Sequence, residues 1–477
     1  MKSNLFENHF DPNDNLTFLK FERGGIAKRD SNKRRFDFKE VYRDAAGDDL
    51  CQQSGRCLDC GNPYCEWKCP LHNYIPNWLE LVAKGQFQQA AELMHETNPL
   101  PEICGRVCPQ DRLCEQACTL NTGFGAVTIG AIEKNITDRA LDNNWRPDLS
   151  KVKATGKTVA IVGAGPAGLG CAELLVRNGV KPVVFDRHPE IGGLLTFGIP
   201  EFKLEKAVIR KRRRFLEDIG VEFRLNTEIG KDLEIKTLQN DYDAIFLGMG
   251  SYTPNDGKLA GRDAVGVLKS LDYLIGNVNH HQSYEMADYP YTNLQGKRVI
   301  VLGGGDTAMD CVRSAVRQQA SSVKCIYRRT ENDMPGSRQE VQNAKEEGVE
   351  FIFHLQPVEI LSNKDGVTGI NFKATDTHES PGEEVLIEAD NVIIAFGFQA
   401  SPANWFKGLG IEQDQWGRVT TLKKPAASND PILPYSQQTH IEGVYAGGDM
   451  VRGADLVVTA IAEGRQAARE IMDWLKI

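Results

Sequence analysis

The chain has no long apolar run. Nothing in its 477 residues approaches the ~18 consecutive apolar positions that a membrane-spanning helix needs. It also lacks an excess of positive charge. Its 56 lysines and arginines stand against 65 aspartates and glutamates, a net charge of -9 with an isoelectric point near 5.6. That balance argues against nucleic acid as a partner, because a phosphate backbone is held by clustered cations. Met1 to Phe10 are polar, without the apolar stretch of a secretory signal. A cytoplasmic location is therefore expected, and its reducing conditions leave the 12 cysteines unpaired. What remains is a chain of ordinary globular composition, too long for one hydrophobic core, so roughly two to four domains are expected.

Nine of the 12 cysteines crowd between Cys51 and Cys118, and clustering of that kind points to metal. The order is Cys57-x2-Cys60-x4-Cys65-x3-Cys69-Pro70, then Cys108-Pro109-x4-Cys114-x3-Cys118. In a ferredoxin run, three cysteines serve one iron–sulfur cluster and the fourth, before a proline, crosses to another. The first run has that shape with a longer middle gap. Cys57, Cys60 and Cys65 are thus expected on one cluster and Cys69 on a second. The later run can return the exchange, with Cys118 completing the first cluster and Cys108 and Cys114 joining Cys69. One ligand of the second cluster is then missing. Cys104 stands four residues before Cys108, on the same face if that piece is helical. Glu133, a carboxylate after Ile129-Gly130-Ala131-Ile132, is the alternative. Two zinc sites of four cysteines each also fit the spacing. Iron–sulfur is preferred because a redox nucleotide module follows. Cys51 reads as a spectator, and Cys171, Cys311 and Cys325 as small core residues.

That module begins at Thr158. The apolar run to Val162 reads as a buried parallel strand, then come Gly163, Ala164, Gly165, Pro166, Ala167 and Gly168, then a helical pattern. This is the dinucleotide fingerprint in its required context. Gly163 allows the tight turn, Gly165 lets a pyrophosphate approach the backbone, and Gly168 lets helix pack on strand. The phosphates then meet the unpaired N–H groups at the helix N-terminus. Asp186, after the apolar run Lys181 to Phe185, is placed to hold a ribose hydroxyl.

The pattern repeats. Lys297 to Leu302 is again a buried-strand run, followed by Gly303, Gly304, Gly305, Asp306, Thr307 and Ala308 and a helix from Met309. Asn391 to Gly397 echoes Tyr242 to Gly250. Two such units are an internal duplication. Where the first unit has Asp186, the second strand of the repeat, Val323 to Tyr327, ends in Arg328 and Arg329. A carboxylate suits an unmodified ribose, and arginines suit a 2′-phosphate. FAD is therefore expected on the first unit and NADP(H) on the second. Gly447-Gly448-Asp449 follows a strand near the C-terminus and supports FAD, since the acid can reach the ribityl or pyrophosphate region. The next helix would aim its N-terminus, around Val457, Val458, Thr459 and Ala460, at the isoalloxazine. Hydride transfer between stacked rings needs no side-chain acid or nucleophile, so no catalytic residue is expected.

The fold class expected is α/β: two Rossmann-like nucleotide-binding domains, for FAD and NADPH, preceded by a helical twin iron–sulfur domain. Residues 1–150 hold an arm and the iron–sulfur domain, 151–290 the first part of the FAD domain, 291–400 the NADPH domain and 401–477 the rest of the FAD domain. Residues 1 to about 50 read as an extended arm with aromatic anchors, with a docking role as the sharper alternative. Ile75 to Met94 reads as two helices broken near Gly85, Thr128 to Leu141 as another, Asn143 to Thr155 as a linker and His280 to Tyr291 as a loop. Arg210 to Arg214 reads as a solvated basic face on a helix, or a patch for an acidic partner.

With these motifs in order, the chain resembles the small (beta) subunits of NADPH-dependent glutamate synthases. The resemblance rests on the twin-cluster cysteines, G-A-G-P-A-G, the stretch Gly192-Gly193-Leu194-Leu195-Thr196-Phe197-Gly198-Ile199-Pro200-Glu201-Phe202-Lys203-Leu204, G-G-G-D-T-A-M-D-C and A-G-G-D. Phe18 to Arg23, Tyr327-Arg328-Arg329 and Met334 to Arg338 add to it. It covers nearly the whole chain. The same cysteine framework occurs in the N-terminal half of dihydropyrimidine dehydrogenase. The resemblance implies that NADPH gives a hydride to FAD, held in part by Gly193 and Leu194, and that electrons leave singly through two [4Fe-4S] clusters. They would pass to a large (alpha) subunit with FMN and a 3Fe-4S cluster, which makes glutamate from glutamine and 2-oxoglutarate. It also implies a non-cysteine fourth ligand at Glu133, where dihydropyrimidine dehydrogenase has glutamine. A similar NADPH:acceptor oxidoreductase with another partner is the nearest alternative, and a zinc-stapled nucleotide-binding protein the alternative of a different class.

Overall fold

The computed structural model describes residues 10–25, 27–284, 286–375, 382–422 and 436–477. Thr158–Val162 forms a strand with all but its first residue buried. It lies at the centre of a five-stranded sheet, between Ala244–Leu247 and Lys181–Phe185, with Val444–Ala446 and Glu222–Arg224 at the edges. All the pairings are parallel. A parallel sheet is covered on both faces, which is why its inner strands are apolar at nearly every position instead of alternating. The helices Pro166–Arg177 and Val457–Leu475 pack on this sheet and on each other. They approach closely because two glycines face the contact. A Cβ on Gly464 would collide with the Ala167 carbonyl oxygen, and one on Gly170 would sit 2.9 Å from that of Ile461.

The second unit repeats the arrangement. Arg298–Leu302 is central, between Asn391–Ile394 and Ser322–Tyr327, with Val267–Lys269 and Glu350–Phe353 outside, all parallel. An antiparallel sheet of Leu355–Asn363, Gly366–Ala374 and Glu384–Glu388 is appended to it. One expected boundary moves. Val267–Lys269 pairs with Asn391–Ile394, and the helix Ser270–Gln282 packs beside Asp306–Arg317, so these residues belong to the second unit although they precede 290. The chain crosses between units on a short ribbon, Thr253–Pro254 antiparallel to Phe398–Gln399. A three-residue strand and a weakly periodic helix give the sequence no marker for that crossover. The helix also takes His280 to Gln282 out of the stretch that reads as loop.

In the N-terminal domain the helices Gly47–Ser54, Ile75–Ala83, Phe87–Thr97 and Ile129–Asp142 enclose Trp78, Leu79, Val82, Met94, Ile132 and Ile136. Pro101–Val107 packs along the last of them. The break near Gly85 is present, with that residue at φ +73°. The linker after Asp142 is anchored, since Trp145 stacks on Phe215 at 5.9 Å.

The arm has an aromatic anchor of the kind expected, and a buried ion pair fastens it as well. Phe18 meets Phe124 edge-on at 5.0 Å, and Arg34 is buried against Glu347. In the helix Lys206–Asp218, Arg210, Lys211 and Arg214 face solvent, but Lys206 and Arg212 are buried. Arg212 makes a two-point pair with Glu102 of the N-terminal domain, at 2.8 and 2.5 Å. A buried guanidinium requires such a partner. His95 completes the contact. Burial and the neighbouring Arg212 hold its imidazole well below its usual range, so it is neutral, donating from Nδ1 to the Ala91 carbonyl and accepting from Arg212 at Nε2.

Candidate active site and metal centres

The three glycines of the first turn have three different surroundings. Gly163 sits at φ +107°, and a Cβ there would collide with the Gly248 carbonyl. Gly168 has no room either, because a Cβ would strike the Gly163 carbonyl. Around Gly165 there is nothing within 4 Å of where a Cβ would stand. Two glycines are thus required by packing and the middle one leaves an open cradle at the start of Pro166–Arg177, where Pro166 fits the first turn. Ala164 N donates to Asp186 Oδ2 at 2.7 Å, and the other oxygen accepts from His188 N and Nδ1, both at 2.9 Å. Asp186 therefore ties the end of the second strand to the glycine turn.

Distant residues converge on the same cradle. A Cβ on Gly193, at φ +53°, would lie 3.2 Å from Gly165 Cα, and Leu194 opens the short helix beside it. Gly448, at φ +75°, backs onto Ala167. Asp449 follows, its carboxyl pushed up to about 7 by burial. Val458 and Thr459 are buried in the first turn of Val457–Leu475. Glu463, one to two turns further along, is a residue that sequence reasoning misses. It accepts from Gly448 N at 2.6 Å and pairs with Arg452 at 2.7 Å. Its only signal is an acid that interrupts the small and apolar residues of the helix's first two turns.

The second glycine turn copies the first. Gly303 is at φ +138° with no room for a Cβ under the Ala395 carbonyl. Gly304 rests on the Tyr327 ring, and Gly305 is open except for Pro335 at 4.0 Å from its Cβ position. Asp306, Thr307 and Ala308 begin the helix Asp306–Arg317, and Asp306 Oδ1 accepts from Ser337 N at 3.0 Å. Arg328 and Arg329 stand exposed at the tip of Ser322–Tyr327, and among the described residues neither makes a hydrogen bond or ion pair. The loop after them is held in shape by a capping box between Thr330 and Asp333.

The cysteines divide as their spacing suggests. Cys57, Cys60, Cys65 and Cys118 line one cavity. Cys69, Cys104, Cys108 and Cys114 line another, with Glu133 and Val458 also in its wall. Burial pushes the thiols of Cys57, Cys65 and Cys69 up to about 12, so they keep their protons until a metal displaces them. Among the described residues no three His, Cys, Asp or Glu side chains converge closely enough for a single metal ion. Four thiols lining one shared cavity suit the four corners of an iron–sulfur cluster. Both candidates for the fourth ligand, Cys104 and Glu133, reach the second cavity. Burial pushes the Glu133 carboxyl up to about 8, although Asn98 and Asn73 donate to its Oε1 at 3.0 and 3.1 Å.

Two glycine-cradle nucleotide sites joined to two thiol-lined cavities define a pyridine-nucleotide-linked flavin oxidoreductase with an iron–sulfur domain. Residues 157–464 match the pyridine nucleotide-disulphide oxidoreductase family, and residues 34–145 match domain II of dihydropyrimidine dehydrogenase, a 4Fe-4S cluster domain. The chain belongs more narrowly to the glutamate synthase [NADPH] small chains. It is 56% identical over 476 residues to that of Halomonas elongata, covering 98% of this chain and 99% of the relative. It is 53% identical to that of Escherichia coli, covering 96% and 98%. The putative oxidoreductase AegA of Escherichia coli is 50% identical over 95% of this chain and 70% of its own. The solved structure of FprA from Mycobacterium tuberculosis shares the nucleotide-binding fold, with a TM-score of 0.54 at 17% identity over 67% of this chain and 85% of that one. Among the described residues no helix is long and apolar enough to cross a membrane.

Proposed function

We propose that this chain is the electron-input subunit of a glutamate synthase, working in the cytoplasm on NADPH. The observation that carries the reading is the position of Val458. It belongs to the first turn of Val457–Leu475, at the flavin cradle, and it lines the cavity of Cys69, Cys108 and Cys114. The two redox sites therefore share a wall.

The open cradle at Gly165, with Ala164, Pro166, Ala167, Asp186, Gly193, Leu194, Gly448, Asp449, Val458 and Thr459, holds FAD. Gly303 to Ala308 receive the pyrophosphate of NADPH on their N–H groups, and Arg328 and Arg329 clamp its 2′-phosphate. Cys57, Cys60, Cys65 and Cys118 hold the first [4Fe-4S] cluster. Cys69, Cys108, Cys114 and Glu133 hold the second, Glu133 because two amides fix one of its oxygens and leave the other for iron. When bound, FAD supplies the change from a two-electron hydride donor to one-electron carriers. The protein supplies orientation and dryness, and no side-chain acid or base is required.

The second cavity adjoins the flavin cradle, so the first is the outer station. There a large subunit with FMN and a 3Fe-4S cluster takes over, where glutamine and 2-oxoglutarate react. The names of the relatives at 56% and 53% identity support that partner. Co-purification from native cells tests it. Capture of a large glutaminase-type chain is expected. Capture of a different acceptor would leave the redox core standing and remove the glutamate synthase assignment. A colourless preparation after anaerobic purification would remove both.

A further inference from the structure

The second cavity offers five donors where a cluster takes four, and the place of the surplus cysteine is specific. Cys104 is 3% exposed and stands one turn before Cys108, which caps the helix Pro101–Val107. Its sulfur donates to Asn98 Oδ1 at 3.8 Å. Asn98 is buried, and its amide nitrogen donates to Glu133 Oε1 at 3.0 Å. Leu100 N donates to Asn98 Oδ1 as well, at 3.0 Å. A carboxamide has an accepting end and a donating end. Two donors on its oxygen, the Cys104 thiol and the Leu100 N–H, turn its NH2 towards Glu133.

We propose that Cys104 is a positioning residue of the second cluster and not a ligand: its thiol donates to Asn98 and so orients that carboxamide towards Glu133, a hydrogen-bond relay that ends on a carboxylate ligand. The inference rests on Glu133 as the fourth ligand. Hydrogen bonds to ligand atoms draw electron density from a cluster and set how readily it accepts an electron. A ligating Cys104 thiolate would have no proton to give to the Asn98 oxygen that it faces.

The test uses the full chain, purified anaerobically with its clusters, as Cys104→Ala and Cys104→Ser. Iron and sulfide per chain are measured, together with low-temperature EPR and a redox titration of the dithionite-reduced protein. Both variants are expected to keep wild-type iron and sulfide. Cys104→Ala should shift the g-values and midpoint of the second cluster, and Cys104→Ser, whose hydroxyl still donates, should return them towards wild type. Unchanged spectra and midpoints in both variants would overturn the relay and leave Glu133 as ligand. Loss of one cluster's iron in Cys104→Ala would make Cys104 the ligand and overturn the Glu133 reading with it. If Cys104→Ala does not fold, Asn98→Asp gives the same readout. It puts a carboxylate in place of the amide donor, and an unshifted second cluster there would overturn the relay.

Discussion

Arg34 of the N-terminal arm and Glu347 of the second nucleotide-binding unit, 313 residues apart, form a buried ion pair with Nε 2.9 Å from Oε1. The same carboxylate also takes Arg313 and Arg317, and those two guanidiniums lie over the ring of Phe202 in the first unit, at 4.5 and 3.8 Å. One carboxylate thus joins the arm to the second unit against a residue of the first.

Glu347→Ala should therefore be severe. It leaves three buried guanidiniums short of counter-charge, and breaking such a pair costs about 3–5 kcal/mol. Arg34→Met should cost less, because Glu347 keeps two partners. Denaturant midpoints of the two variants order the effects, and equal losses would mean that the arm contributes as much as the two arginines of the second unit.

Lys206 gives a pH dependence. Its Nζ donates to the carbonyls of Leu195 and Ile199 at 2.9 and 2.6 Å, and burial lowers its ammonium to about 7. An unfolded lysine titrates near 10.4. Between these values the unfolded chain binds the extra proton, so stability should rise with pH across that window, by at most about 1.4 kcal/mol for each step of one in pH. Lys206→Met should remove this rise. It should also lower stability throughout by about 1–3 kcal/mol, since two buried carbonyls lose their donor. Denaturation at neutral and at alkaline pH compares the slopes, and equal slopes would show that Lys206 is charged in the folded protein.

Gly165 and Gly168 separate binding from folding. Gly165→Ala meets open space and an ordinary backbone, φ -75°, so the chain should fold with a stability within about 0.5 kcal/mol of wild type while losing flavin. Gly168→Ala drives a methyl into the Gly163 carbonyl and should destabilise the whole first unit, by about 1–3 kcal/mol or more. Flavin content and thermal melting, read together, distinguish the two.

Arg328→Ala and Arg329→Ala should weaken NADPH by about 10–100-fold each, the worth of a charged hydrogen bond of roughly 1.5–3 kcal/mol. NADH lacks the 2′-phosphate and should be little affected. The KM ratio in a dye-reduction assay reads the difference, and a parallel loss for both nucleotides would contradict the assignment of the second unit.

The contrast between these pairs shows what sequence can carry. Gly163 and Gly168 are legible because the need for glycine is local: a turn with positive φ and a helix packed on its own strand. The split between Cys65 and Cys69, or between Cys114 and Cys118, follows from short spacing. Arg212 is not legible in the same way. A basic helix reads as solvated until Glu102, 110 residues away, is brought against it. Arg34 is hidden for the same reason. The crossover at Thr253–Pro254 leaves no trace because the pairing that defines it is made with Phe398–Gln399, far along the chain. Spacing brings Cys104 and Glu133 to the same question, but only the fold adds Asn73 and Asn98.

Cys114 and Cys118 are close in the chain but line separate cavities, and that separation gives the electron route a direct test. Cys118→Ser should remove the outer cluster alone. NADPH should still bleach the flavin and reduce the inner cluster, while delivery to the partner falls. Cys114→Ser should remove the inner cluster. NADPH should again bleach the flavin, but the outer cluster should then be reducible by dithionite and not by NADPH. Because Val458 places the flavin cradle against the second cavity, the two losses should be asymmetric. Freeze-quench EPR after mixing with NADPH reads both clusters. Rapid reduction of the outer cluster in Cys114→Ser would mean that electrons bypass the inner one, and the order of the relay would have to be reversed.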